Sequence, residues 1–200
     1  MDSSLDYWER YYSLEKAHPP SQFSVFVVNE ISELDVAMII DLGAGDLRDS
    51  RLFSNLGFNV LSIDQADINQ NNHEQENIKF LRGDLLNEHT WNMIAKHLKN
   101  ETTLFYSRFV FHCFPTLECE QFTRNIISLM KPGDLLAAEY RTPEDQKLKK
   151  VTPPHNRYFH NNEFIDGLLS ELTKLYEFQS QGLAKYREDD AHVRRILLKR

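Results

Sequence analysis

The apolar positions of this chain change period along its length. Over residues 4–16 the pattern is helical: Leu5, Trp8 and Tyr12 share one face, and Tyr7 and Tyr11 share another. "HPPS" at 18–21 interrupts it. Ser21 is placed to cap a second helix over about 22–33, in which Phe23, Phe26, Val27 and Ile31 recur at helical spacing. From residue 36 the rhythm shifts to short apolar runs: "VAMIID" (36–41), "FNVLSID" (58–64), "IKFLRGD" (78–84), "TTLFYS" (102–107) and "LLAAEY" (135–140). Runs of this kind suit strands buried on both faces. Helical segments separate them. One runs from about Asp49 to Leu56 and is closed by Gly57. A second carries Trp91, Ile94, Ala95 and Leu98, and a third carries Phe122, Ile126, Leu129 and Met130 before "KPGD" (131–134) stops it. The polar stretch "QNNHEQEN" (70–77) reads as a surface loop.

Strands alternating with helices imply crossover connections and a mainly parallel sheet. After a polar, basic stretch over 141–160, Phe164, Ile165, Leu168, Leu169 and Leu172 mark another helix. The last segment, "LYEFQSQGLAKYREDDAHVRRILLK", reads as two strands joined by a charged turn, closing the sheet antiparallel. The expected architecture is one α/β domain over 1–200. It is a Rossmann-like, seven-stranded, mostly parallel sheet over 35–200, with helices on both faces and an antiparallel C-terminal strand pair. Residues 1–34 form an N-terminal helical lid.

Composition narrows the partners. With 41% apolar and 26% charged residues the chain is an ordinary globular one. Its net charge of −7 argues against a nucleic-acid partner, which needs a basic surface to replace counterions. Cys113 and Cys119 supply neither a disulfide framework nor a zinc signature, and the eight histidines form no H-x-x-x-H pair, so no metal is expected. "MDSSLDYWERYY" lacks the apolar core of a signal peptide, and no apolar run reaches membrane-spanning length. A cytoplasmic protein without membrane insertion is expected, its oligomeric state open. There is no G-x-S-x-G elbow and no G-x-x-x-x-G-K-[ST] loop, which disfavours a hydrolase and an NTPase.

In an open parallel sheet, ligands bind beyond the carboxyl ends of the strands, near the point where strand order reverses. The loop after the first strand carries Gly43 and Gly45, which let the backbone turn sharply and approach a ligand. Asp64 ends the next strand, where a carboxylate accepts hydrogen bonds from ribose hydroxyls. A nicotinamide dinucleotide would require G-x-G-x-x-G. Here Gly43-Ala44-Gly45-Asp46-Leu47-Arg48 lacks the third glycine, and Asp41, Asp46 and Asp49 would repel a pyrophosphate. Those acids suit a ligand carrying an ammonium or sulfonium.

The stretch "DLGAGDLRDSRLFSNLGFNVLSID" resembles motif I and the second-strand acid of the class I S-adenosylmethionine-dependent methyltransferases. Its "RDS" is similar to the thiopurine and tellurite-resistance methyltransferase subgroup, and "FLRGDLL" and "KPGDLLAAE" resemble later segments of the same fold. The resemblance covers roughly 36–140 and implies S-adenosyl-L-methionine as cofactor. It implies Gly43 and Gly45 beside the methionine part, Asp41 near its ammonium, Asp64 on the ribose, and Asp84 with Leu85 at the adenine. Arg48, Gln65 and Ser107 complete the expected cofactor set. Leu47 stands where the family usually has glycine.

On the acceptor side, "FYSRFVFHCF" (105–114) puts Ser107, Arg108 and His112 at and just past the end of the fourth strand. It lacks the "NPPY" or "DPPY" of methyltransferases that act on amino nitrogens of nucleic acids and proteins. Between Arg141 and Tyr158 there are five Lys or Arg against two Asp or Glu. Arginine forks suit carboxylates and phosphates. Arg141, His155, Arg157 and Tyr158 are therefore expected to hold a small or saccharide-linked anionic oxygen acceptor: a phosphate, phosphonate, carboxylate or acidic sugar. His112 or His155 would be the base if a hydroxyl attacks instead. The alternatives are Arg141 paired internally to a neighbouring acid, a neutral hydroxyl or amine acceptor, and a non-catalytic S-adenosylmethionine-binding regulatory domain. Tyr7, Tyr11 and Tyr12 either close the site against water or, for any one of them, pack as ordinary core.

Overall fold

The computed structural model describes residues 5, 9, 18–67, 77–150, 156–186 and 188–200. Its elements run in the order α1 (Gln22–Ile31), β1 (Val36–Leu42), α2 (Arg48–Asn55), β2 (Asn59–Asp64), β3 (Ile78–Arg82), α3 (Glu88–Ala95), β4 (Thr102–Arg108), α4 (Thr116–Leu129), β5 (Leu135–Arg141), α5 (Asn162–Leu168), β6 (Thr173–Tyr186) and β7 (Asp189–Lys199). Short 3₁₀ turns over Phe111–Cys113 and Pro143–Lys147 follow β4 and β5. The strands form one seven-stranded sheet in the order β3-β2-β1-β4-β5-β7-β6. Pairings among β1 to β5 are parallel, while β7 lies antiparallel between β5 and β6. This is the Rossmann-like architecture expected, with its antiparallel C-terminal pair.

Alternation along each buried strand divides the core into two layers. Ile40, Leu61, Phe105 and Leu136 face one side, packed with Trp91, Phe122, Ile126 and Ile165 from α3, α4 and α5. Ile39, Val60, Leu104 and Ala137 face the other, against Phe23, Val27 and Ile31 of α1 and Phe53 of α2. Each of the buried Val, Leu, Ile and Phe side chains among them contributes roughly 1.5–3 kcal/mol. Ser21 caps α1, its Oγ accepting the Ser24 N–H at 3.0 Å.

Two helices are shorter than their apolar periodicity suggests. α3 ends at Ala95, so Leu98 packs from the following turn. α5 ends at Leu168, and Leu169 and Leu172 are buried from the turn beyond it. In both cases an apolar side chain continues to serve the core after the helical hydrogen bonds have stopped. The expected helix over 4–16, and with it the lid tyrosines Tyr7, Tyr11 and Tyr12, lies outside the described residues except for Leu5 and Glu9. Glu9 accepts a hydrogen bond from Arg82 at 3.1 Å, at the end of β3.

The C-terminal hairpin reaches past the sheet. β5 ends with Arg141 opposite Val193, yet β7 begins at Asp189, opposite Tyr186 of β6. The hairpin tip therefore projects beyond the carboxyl end of β5. A register shift between Ser180 and Ala184, where Gly182 takes φ 80°, bends it. Such bulges re-aim the residues that follow them. Here the redirected residues include Ala184 and Tyr186, which reach a cavity at the carboxyl edge.

Candidate active site

A cavity of about 260 Å³ opens at the carboxyl ends of β1, β2, β4 and β5. Its position follows from the topology. β1 lies between β2 and β4, so their crossovers leave on opposite sides and open a crevice.

The wall built by the glycine loop is tight. Gly43 (φ 77°) and Gly45 (φ 53°) both have left-handed backbones. A Cβ on Gly43 would sit 2.4 Å from Cγ2 of Val110, so the loop is pressed against the segment after β4. Leu47, where the resembled family has glycine, also has a left-handed backbone, with φ 61° and ψ 16°. That conformation costs an L-residue roughly 1–2 kcal/mol, and complete burial of the Leu47 side chain offsets it. Asp64 ties the loop to β2: one carboxylate oxygen accepts Gly45 N–H at 2.9 Å and the other accepts Ala66 N–H at 2.9 Å. Burial raises the Asp64 pKa, and these backbone hydrogen bonds restrain the rise.

Two further acids bracket the loop. Asp41, at 2% exposure, accepts the Ser50 hydroxyl at 2.5 Å, and Ser50 in turn accepts from Ser62 at 2.8 Å. Burial pushes its pKa up to about 8; the Ser50 hydrogen bond works against this, while Asp49, Asp64 and Asp46 add to it. Asp49 accepts from Ser21 N–H (2.7 Å), Ser21 Oγ (2.8 Å), Ser24 Oγ (2.9 Å) and Tyr106 OH (2.7 Å). Burial pushes it upward too, but Arg108, Arg48 and these donors outweigh burial and hold its pKa below the ordinary value. Tyr106 is raised well above its ordinary value by burial and by Asp49, so it stays a donor.

The opposite wall comes from the ends of β4 and β5 and from the hairpin. Phe109 has φ 63°, anchored by its N–H on the Glu139 carbonyl at 2.8 Å. The guanidinium carbons of Arg108 and Arg141 lie 4.2 and 5.2 Å from its ring centroid. Both arginines are held by carboxylates. Arg108 Nε meets Glu139 at 2.8 Å. Arg141 Nη1 meets Asp145 at 2.8 Å, and its Nη2 meets Asp189 at 3.1 Å. Arg141 thus takes the internally paired alternative, and the basic stretch that suggested an anion pocket is neutralised there from within.

Two histidines line the cavity with opposite proton placements. His112 Nδ1 accepts the backbone N–H of Arg141 at 3.3 Å, which leaves the proton on Nε2. His18 Nδ1 sits 2.9 Å from Asp46 Oδ2, and its Nε2 lies 3.2 Å from the Tyr186 hydroxyl. A carboxylate only accepts, so Nδ1 of His18 is protonated, and in the neutral ring Nε2 holds the lone pair.

Of the residues singled out from sequence, Asp41, Gly43, Gly45, Arg48, Asp64, Gln65, Asp84, Leu85, His112, Arg141 and Arg157 line this one cavity. Leu85 is fixed by its carbonyl, which accepts Trp91 Nε1–H at 2.7 Å. Ser107 is not on the cavity wall: it is fully buried, and its Oγ has no hydrogen-bond partner among the described residues. Tyr158 is also off the wall; it is exposed, and its N–H donates to the His112 carbonyl at 2.7 Å. His155 lies outside the described residues. Sequence reasoning missed His18, Phe109, Tyr186 and Asp189 as cavity residues, and read Asp46 only as a loop acid. Cys113 also lines the cavity, but burial raises its thiol to about 12, so it is no nucleophile.

No protein-family model matches the sequence, and no curated protein matches it significantly. Solved structures do match. A SAM-dependent methyltransferase from Anabaena variabilis superposes with a TM-score of 0.73 at 17% identity, covering 100% of this chain and 96% of that one. The N-methyltransferase NodS from Bradyrhizobium japonicum, solved with S-adenosyl-L-homocysteine, gives 0.70 at 13% identity, covering 99% and 98%. TehB from Haemophilus influenzae gives 0.65 at 18% identity, covering 98% and 66%. The chain therefore has the fold of the class I SAM-dependent methyltransferases, from its first described helix to its antiparallel terminal strands.

Proposed function

We propose that this chain is an S-adenosylmethionine-dependent methyltransferase acting on a small-molecule acceptor. The observation that carries the reading is the acid-lined glycine loop at the carboxyl edge, tied to Asp64 through Gly45 N–H. The residues present fit the cofactor. Asp64 accepts Gly45 N–H on one oxygen and Ala66 N–H on the other, with Gln65 N–H as a third donor, and an ionised carboxylate offers about four lone-pair sites, so it retains capacity for a ribose hydroxyl. Asp41 would meet the ammonium, and Asp84 and Leu85 would border the adenine. A pyrophosphate in the same place would face Asp41, Asp46, Asp49 and Asp64. The cofactor supplies an activated methyl on a sulfonium; the chain's task is to align a nucleophile with it and keep water away.

For the acceptor, the paired arginines favour a neutral hydroxyl or an amine. The anionic oxygen acceptor expected from the sequence is the second reading, supported by Arg157 on the cavity wall. Calorimetry tests the cofactor: S-adenosylhomocysteine binds and NADH does not, and Asp64→Ala weakens the former about 100-fold. Unchanged affinity in Asp64→Ala refutes the ribose assignment. Arg157→Ala separates the acceptors: it abolishes methylation of an anionic acceptor and spares that of a neutral one.

A further inference from the structure

We propose that Asp46, His18 and Tyr186 form a proton relay that accepts the acceptor's proton during methyl transfer. The proposal rests on the methyltransferase reading above and specifies how its acceptor is activated.

The three residues come from the segment before α1, the glycine loop and the hairpin tip, and all three border the same cavity. Asp46 Oδ2 holds His18 Nδ1 at 2.9 Å and also lies 3.4 Å from the His18 backbone nitrogen, so one carboxylate oxygen fixes both ring and chain. That pairing leaves the Nε2 lone pair 3.2 Å from the Tyr186 hydroxyl, with the two rings edge to face at 5.6 Å. The distance is long for an O–H···N bond, as relay contacts often are before substrate binds. The order carboxylate, imidazole, hydroxyl is that of a nucleophile-activating triad. Here the hydroxyl belongs to a phenol side chain that lines the cavity.

His112, the other cavity histidine, does not do this work. Its Nδ1 lone pair is taken by the Arg141 N–H, and its Nε2 carries a proton, so it is arranged as a donor.

The step balances with a methylsulfonium donor and a hydroxyl or ammonium acceptor. The acceptor's O–H or N–H proton passes to the Tyr186 oxygen as the Tyr186 proton passes to His18 Nε2. The electron pair left on the acceptor forms the new bond to the methyl carbon. The pair of the old carbon–sulfur bond stays on sulfur, which leaves as a neutral thioether. Imidazolium and carboxylate, His18 with Asp46, hold the proton until solvent removes it. Tyr186 is the catalytic residue of this scheme, His18 the proton store, and Asp46 a positioning residue.

The test uses the full chain. Nitrogen-15 spectra of the His18 ring, without cofactor, report which nitrogen is protonated. The relay requires Nδ1–H in the wild type and a mixture of tautomers in Asp46→Ala, with Asp46→Glu restoring Nδ1–H. An Nε2–H tautomer in the wild type overturns it. Rates are read with S-adenosylmethionine and whichever of catechol, tyramine and ethanolamine is methylated fastest. Tyr186→Phe and His18→Gln are expected to lower kcat about 100-fold, with KM and S-adenosylhomocysteine affinity held within about twofold. Full kcat in Tyr186→Phe overturns the relay while leaving the methyltransferase reading intact. A wild type that binds S-adenosylhomocysteine but methylates none of the three probes also counts against the relay, because they span the acceptors it serves. Failure to bind S-adenosylhomocysteine at all overturns the underlying reading instead.

Discussion

Asp41 and Asp49 stand at opposite ends of one loop, are about equally inaccessible, and carry their charge differently. Asp41, 2% exposed, has one hydroxyl partner among the described residues and three carboxylates as neighbours. Asp49, 5% exposed, has four hydrogen-bond donors and two arginines. Burial pushes both pKa values upward; the supply of donors and cations decides which acid stays ionised. Asp49 is a permanent anion that fastens α1 to α2 and β4. Asp41 is a carboxyl whose pKa burial pushes up to about 8, beside the cavity where a cation is proposed to bind. Burying acids around a loop therefore does not define their roles; the partners donated by other elements do.

The comparison breaks most visibly at Asp49. Asp49→Ala removes the acceptor shared by Ser21 N–H and the Ser21, Ser24 and Tyr106 hydroxyls, of which Ser24 keeps the Ser21 carbonyl, and takes one anion from beside Arg108, which keeps Glu139. The expected cost is about 4 kcal/mol in urea denaturation at neutral pH. A loss under about 1 kcal/mol would mean that the cluster is not the clamp its geometry implies. The pH dependence has a definite sign. A carboxylate whose folded pKa is depressed contributes stability above its ordinary value and loses it as pH falls through the folded value. Asp49 therefore weakens the fold only on acidification.

Asp41 has the opposite sign. Its folded pKa is raised from 3.8 to about 8, so between these values the native state holds a proton that the unfolded chain has released. Its contribution is complete below the unfolded value and declines as pH rises, by at most about 1.4 kcal/mol per unit, until it levels off above about 8. Asp41→Asn keeps the shape and removes the titration. Between pH 6 and 8 the wild type should lose about 2 kcal/mol that Asp41→Asn does not. Parallel stability curves for the two proteins would show that Asp41 is ionised in the folded state throughout.

The same contrast explains what the sequence made visible. The glycine-loop wall is nearly contiguous: Asp41, Gly43, Gly45 and Asp64 belong to one strand–helix–strand unit, so spacing alone pointed to one cavity edge. The two-faced burial of β1, β2, β4 and β5 was likewise written in their short, mainly apolar runs. The wall carrying His18 and Tyr186 has no such local grammar. His18 and Asp46 meet because α1 packs on α2, and Tyr186 joins them because a bulge bends a hairpin that overshoots β5. None of this leaves a period in the chain. Arg141 lines the cavity as expected, but its pairing was only half legible, for a related reason. Its partner Asp145 was within reach on the following turn, but Asp189 arrives only through strand pairing, and the two together turn an apparent anion site into an internal ion pair.

The smallest predicted effect follows from the charge that Asp41 withholds. If the cofactor's ammonium settles beside this carboxyl, binding requires Asp41 to release its proton. Below about pH 8 that release costs free energy, and the cost falls as pH rises. S-adenosylhomocysteine affinity, measured by calorimetry in buffers of different ionisation enthalpy, should therefore tighten by up to about tenfold for each unit between pH 6 and 7.5, with proton release detected alongside. Asp64 is also raised by burial and acts in the same direction, so the wild-type slope alone does not assign the proton. Asp41→Asn does. It cannot release a proton, so its affinity should be weaker at pH 8 and its slope shallower than that of the wild type. Asp49→Asn, if it folds, should leave the slope unchanged, because Asp49 is already ionised at every pH in the range. An unaltered slope in Asp41→Asn would show that the released proton is not Asp41's and leave Asp41 as a neutral wall of the pocket.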